Sequence, residues 1–292
     1  MKKNSKITKP RISIGQICSQ LVQRFFSHDV GRDSAALAYY LLFAIFPLLI
    51  FASLVIGALD LDIDFIIGGL SQFTPADVSG VIDDYLEYVI SNDSRYLLWF
   101  SLIFSIWFPM RATNCLTHSV RKAFGRMRPD DALKNQLFVF FYAVLLIIAI
   151  GFTLVLTTVG RRALEFAAHF LRLTEMFINV WTYLRFVLLF FVMAFAIGIL
   201  YMLALGERRP VAEVTPGVIT SLALWMGLSI GFAYYVEHMA HYTELYGSIA
   251  TVIVVLLWLF MSAMSLILGA EVSGILSAWR AEHRADGEEV AK

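Results

Sequence analysis

The chain has 292 residues, 59% of them hydrophobic and 16% charged, with a mean hydropathy of +0.72. One water-soluble core of this length cannot hide such an apolar excess, so lipid must take up the remainder. The 23 Lys and Arg balance the 23 Asp and Glu, so the net charge is uninformative as a total and the positions of the charges carry the signal.

Residues 1–34 precede any apolar span and are expected to form a cytoplasmic N-terminal segment. Ile14, Ile17, Cys18, Leu21, Val22, Phe25 and Phe26 recur there at helical spacing opposite Gln16, Gln20, Gln23 and Arg24. This pattern predicts an amphipathic helix, either lying on the membrane surface or packed under the bundle. No small-residue cleavage site follows the first apolar span, so that span is expected to be retained.

Six segments approach or pass the roughly 20 apolar residues needed to cross about 30 Å of hydrocarbon. They lie near 35–58, 96–120, 135–160, 180–205, 214–237 and 247–277, followed by a polar tail over 278–292. Stretches such as Phe138 to Leu156 are apolar on every side, which excludes the alternating strands of a barrel. The fold class read from the sequence is therefore all-α and polytopic, with six transmembrane helices and short interfacial helices. Pro47 and Pro109 fall within the first and second spans, where each removes a backbone hydrogen bond.

Between the first two spans lies an acidic loop carrying Asp60, Asp62, Asp64, Asp77, Asp83, Asp84, Glu87 and Asp93. A second amphipathic helix opens at Thr74, Pro75, Ala76 and Asp77, and a third candidate covers Arg162 to Phe177. Under the six-span reading 18 Lys and Arg fall on the side of the termini and four on the other. The positive-inside rule then places both termini in the cytoplasm. Cys18 and Cys115, the two cysteines, fall on or near that reducing side, so no disulfide is expected.

On the second span Arg111, Asn114, His118 and Arg121 follow spacings of three, four and three and share one face. Helical rise puts Arg111 about 8 Å short of the cytoplasmic edge. There it can hold an anionic solute or lipid headgroup, or serve as an ion pair or headgroup anchor. Glu271, near the cytoplasmic end of the last span, is its expected partner in an inner gate. Gly227 with Gly231, and Ser262, Ser265, Gly269 and Ser273, form small-residue stripes suited to helix packing. Glu237, His238, His241 and Glu244 cluster near one helix end but lack any metal-binding order, so no metal or cofactor is expected. Nucleotide-binding loops and nucleophile elbows are absent from the sequence, so enzyme chemistry has no visible seat.

Asp33 to Tyr40, then Phe46, Pro47 and Leu48, resemble the first-helix signature of the YihY/BrkB family of bacterial membrane proteins. Tyr242, Tyr246, Gly247 and Ser248, followed by Leu268, Gly269, Ala270 and Glu271, resemble its closing motif. Ile249 and Ala250 depart from it, where the family usually has Leu and Gly. The resemblance covers roughly residues 15–280 and implies a six-helix protein of the bacterial plasma membrane, from a family of unassigned molecular activity. Some members have carried a ribonuclease label. A nuclease needs clustered His and Asp ligands in water or a basic cytosolic domain, and a short loop around Arg126, Arg128 and Lys134 supplies neither. The ribonuclease reading and a nucleic-acid partner are rejected on that ground.

Two readings remain. One is a transporter or lipid translocator whose path is lined by the polar face of the second span with Tyr39, Tyr40 and Pro47. The other is a non-transporting scaffold or envelope-integrity protein whose arginine face recruits lipids or partners. A transporter needs polarity reaching both sides, and a scaffold needs none.

Overall fold

A computed structural model describes residues 13–58, 95–126, 134, 136–145, 175–205, 210–239 and 248–289. The acidic loop with its amphipathic helix, residues 162–174 of the third amphipathic candidate, much of the third span, and Tyr242, Tyr246, Gly247, His241 and Glu244 lie outside the described residues. The described helices are α1 (Ile14–Ser27), α2 (Val30–Ala58), α3 (Arg95–Ala123), α4 (Gln136–Leu145), α5 (Glu175–Ala204), α6 (Val211–Met239) and α7 (Ser248–Glu289). Four of them, α2, α5, α6 and α7, are long and apolar enough to cross a membrane. The chain is an all-α, multi-pass membrane protein. Helix α3 has 29 residues, about 44 Å of helix, but its last turns carry Arg111, His118, Arg121 and Lys122 and dilute its hydropathy.

Two antiparallel pairs make the frame. Helices α2 and α3 run side by side, with Asp33 level with Ser119, Tyr40 with Arg111 and Phe43 with Phe108. Helices α6 and α7 pair likewise, with Val214 level with Ser273 and Trp225 with Ser262. Helix α7 also packs on α2 and α3, and α5 fills the side between α3 and α6. The core between them holds Leu37, Leu116, Val120, Tyr201, Val218 and Ile267. Helix α7 continues to Glu289, well past the span end expected near residue 277. Pro47 and Pro109 lie within α2 and α3, where both are buried, and a third proline, Pro216, lies inside α6 and so within the expected fifth span.

Helix pairs in lipid gain by close packing, and small residues set the distance of approach. A Cβ on Gly269 would stand 1.9 Å from the Ser221 Oγ and 2.5 Å from the Gly217 carbonyl. Gly217 N–H donates to Ser273 Oγ at 2.8 Å, and the buried Tyr201 hydroxyl bonds Ser221 Oγ at 2.8 Å and the Leu266 carbonyl. The stripe from Ser262 to Ser273 is thus the α6/α7 seam. The other expected stripe behaves differently. Nothing lies within 4 Å of a Cβ on Gly227 or Gly231, so in the described structure these glycines face open space rather than a partner helix.

Helix α1 packs one side against the bundle. Ile17, Leu21, Arg24, Phe25 and His28 turn partly inward against the bundle, while Ile14, Val22 and Phe26 remain exposed. The Gln16 side chain accepts from the Ser13 N–H at 3.0 Å and caps its start. Asp29, at φ 54°, makes the corner into α2 in a left-handed conformation that a short polar side chain tolerates.

The two glycine environments give opposite expectations. Gly269→Val should lower thermal stability in detergent by about 2 kcal/mol or more, as overpacking does. Gly227→Ala should leave it unchanged or raise it by up to about 1 kcal/mol, because Ala is the better helix former. Equal effects in a thermal unfolding assay would contradict the seam.

Candidate functional site

The most deeply buried carboxyl side chain among the described residues is Glu271, 1% exposed. A carboxylate cannot stay charged in such a place without partners, and α1 supplies them. His28 Nδ1 lies 2.6 Å from Glu271 Oε1, and Arg24 Nη1 lies 3.4 Å from Oε2. The same Arg24 nitrogen donates to the Ala123 carbonyl, the last residue of α3, at 2.8 Å. Lys122 Nζ donates back to the His28 carbonyl. A Cβ on Gly274, one turn beyond Glu271, would meet the Ala123 carbonyl at 2.1 Å. Only glycine lets the end of α3 come this close to α7. Three chain segments that are far apart in sequence are therefore clasped around one acid.

Around this clasp, basic side chains satisfy the carbonyls that helix ends leave without partners. Arg121 Nε donates to the Ala204 carbonyl at the end of α5 at 2.6 Å, and Arg126 Nη1 reaches Leu205 O at 3.4 Å. These cations also oppose the negative end of the helix dipole. Asp33, at the start of α2, accepts from Ser119 Oγ at 3.0 Å and lies beside Arg32. The ends of α3 and α5, the starts of α2 and α6, and α1 all meet at this end of the bundle.

The face expected on α3 is divided. Arg121 belongs to the helix-end caps just described. Arg111 and His118 are exposed, and Asn114 is half-buried. Arg111 stands over the Tyr40 ring, its guanidinium carbon 5.5 Å from the centroid, with Nη2 3.4 Å from the Tyr40 hydroxyl. Tyr39, exposed, packs on Phe43, which contacts Phe108, so an aromatic seam runs between α2 and α3 beside the cation. Pro47 is buried farther along α2.

The expected pair of Arg111 and Glu271 does not form. Glu271 sits level with Ala123, whereas Arg111 lies twelve residues before Ala123, about 18 Å farther along α3. Its true partners, Arg24 and His28, were assigned to a polar surface or passed over. One signal pointed to them: Ile17, Leu21, Arg24 and His28 fall at spacings of four, three and four, so both basic residues share the helix's packing face. The buried side of α3 was also missed, where Ser101, Ser105, Thr113 and Thr117 recur around Pro109. Thr117 Oγ1 is buried and without a partner among the described residues. Of the closing motif, Gly269 makes the α6/α7 contact, Ala270 is fully buried and Ser248 opens α7.

The clasp has an asymmetric energetic signature. Arg24 and His28 keep 25% and 24% side-chain exposure, so Glu271→Gln leaves two polar groups that water can reach. Removing both partners leaves a buried carboxylate unpaired, which costs about 3–5 kcal/mol. The Arg24→Ala/His28→Ala variant should therefore unfold at a lower temperature in detergent than Glu271→Gln. The reverse order would contradict the clasp.

Among the described residues no group of three or more His, Cys, Asp and Glu is placed to hold a metal ion. Comparison with known proteins finds a match to the virulence factor BrkB family over residues 21–292. The Bacillus subtilis protein named "Putative ribonuclease-like protein YfkH" is 27% identical over 257 residues, covering 88% of this chain and 94% of its own. A UPF0761 membrane protein of Aggregatibacter aphrophilus is 22% identical over 287 residues, covering 94% and 96%. Another UPF0761 membrane protein, from Azotobacter vinelandii, is 28% identical over 271 residues, 89% of this chain and 63% of that one. No solved structure matches. With the match running through the clasp and both helix pairs, the chain belongs to the YihY/BrkB family of bacterial membrane proteins.

Proposed function

We propose that this protein is a transporter-like protein of the bacterial inner membrane that engages an anionic solute or lipid headgroup at Arg111. One observation carries the reading. Arg111 lies within a 29-residue helix, exposed and over an aromatic ring, and no ion pair among the described residues involves it. A cation held inside a membrane span without a carboxylate draws an anion from elsewhere. Tyr40 steadies the guanidinium through its ring face and hydroxyl without neutralising it. Asn114 and His118 extend the polar surface toward the clasp.

The topology belonging to this reading has six spans over residues 35–277, with both termini cytoplasmic. Its support is the meeting of α1, the α3 end and the start of α6 at one end of the bundle, together with the basic residues that cap them. Positive charge gathers on the cytoplasmic side of membrane proteins. The ribonuclease wording attached to the Bacillus subtilis relative is not carried over. The buried acid here is taken up in holding α1, and Arg121 and Arg126 are engaged with helix ends rather than set out as a nucleic-acid surface.

Proteoliposomes provide the functional test. A panel of anionic solutes and fluorescent anionic lipids should show uptake or scrambling by the wild type. Arg111→Ala should reduce it at least about tenfold, and Asn114→Ala more weakly. Uniform inactivity of the wild type across the panel would favour a non-transporting scaffold and sink the proposal. Topology is checked separately in intact cells with a membrane-impermeant thiol reagent. Arg95→Cys in a Cys18→Ser/Cys115→Ser background should label from outside, whereas Cys18 in a Cys115→Ser background should label only after lysis.

A further inference from the structure

A second surface lies along the α6/α7 pair. Pro216, Thr215 and Ile219 of α6 and Val272 and Leu276 of α7 line an open groove of about 730 Å³. Its walls are apolar for a local reason. The Thr215 and Thr220 hydroxyls each turn back to their own helix, donating to the Val211 and Pro216 carbonyls at 2.8 Å. The one hydrogen of each hydroxyl is thereby used within α6.

The groove ends at a cation. Val272, Leu276 and Arg280 are spaced by four residues and so lie on one stripe of α7. Arg280 Nη1 donates to the carbonyl of Ala212, itself a lining residue, at 2.9 Å. This bond anchors the guanidinium at the mouth and leaves its remaining N–H groups available. Glu213 accepts from Ser277 at 3.4 Å, and Glu282 lines a separate polar groove with Arg24 and Trp279. From Arg280 to Val272 the stripe runs about 12 Å, from the end of the bundle into the depth where acyl chains lie.

We infer that this groove is a binding site for an anionic phospholipid, with one acyl chain along Leu276 and Val272 and the phosphate at Arg280. Charge complementarity selects the headgroup, and the apolar wall selects a chain-bearing ligand over a free phosphate. The site is independent of Arg111, which lies on α3 and lines neither this groove nor the polar one.

Native mass spectrometry of the full-length protein released from detergent tests it. Phosphatidylglycerol, phosphatidylcholine with the same chains, and glycerol 3-phosphate are the probes. Wild type should retain phosphatidylglycerol about fivefold more tightly than phosphatidylcholine, the size of effect expected from one basic residue at a membrane surface. Arg280→Ala should abolish that preference, and Arg280→Lys should keep most of it. Ile219→Trp should weaken both lipids by filling the groove. Equal binding of the two lipids by wild type, an unchanged preference in Arg280→Ala, or comparable binding of glycerol 3-phosphate would each overturn the inference. Arg280 is at the surface and Arg280→Lys retains the charge, so a folding defect in one variant does not remove the test.

Discussion

Burial of one carboxylate organises this end of the protein. Glu271 lies in α7 where water does not reach, and its charge is tolerable because α1 brings Arg24 and His28 to it. The same requirement fixes α1 beneath the bundle and draws in the end of α3 through the Ala123 carbonyl. An apolar residue at position 271 could pack as well, but it would place no demand on where α1 sits. The acid trades some stability for a defined arrangement of three segments, a role that buried polar groups fill in other systems.

Close helix contact makes that clasp possible. Gly274 admits the α3 end, and Gly269 with Gly217 brings α6 against α7 one turn away. Hydroxyls then replace side-chain bulk along the seam. Ser273, Ser221 and Tyr201 link α5, α6 and α7 through short hydrogen bonds, in a setting where apolar burial does not drive helices together. The ion pairs and the glycine contacts lie within two turns of α7, so a change in one should be felt by the other.

Set against this closed end, the α2/α3 seam is open. Arg111 is exposed beside Tyr40, whereas Arg121 and Arg126, only a few turns away, are spent on helix ends. Basic residues of similar appearance in the sequence thus divide into caps and a cation with no ion pair among the described residues. Arg280 combines both roles, capped onto Ala212 while facing an apolar groove. These two cations lie on different helix pairs, so they can meet different ligands.

The sequence by itself determined the membrane class and the positions of the long described helices, because long apolar runs have one economical solution in lipid and their limits are written in charge. Helices α2, α3, α5, α6 and α7 begin and end within a few residues of expectation, apart from the extended end of α7. It also showed α1 as amphipathic and the Ser262 to Ser273 stripe as a contact surface. Tertiary structure alone decided partners. Periodicity tells which residues share a face of one helix, but not the register between helices, and the pairing of Arg111 with Glu271 failed on a register difference of about 18 Å. The same limit explains Gly227 and Gly231, whose spacing suits packing yet whose face meets nothing among the described residues. Which stripe of small residues is a seam, and which cation is a cap, depends on the neighbour that the fold brings opposite it.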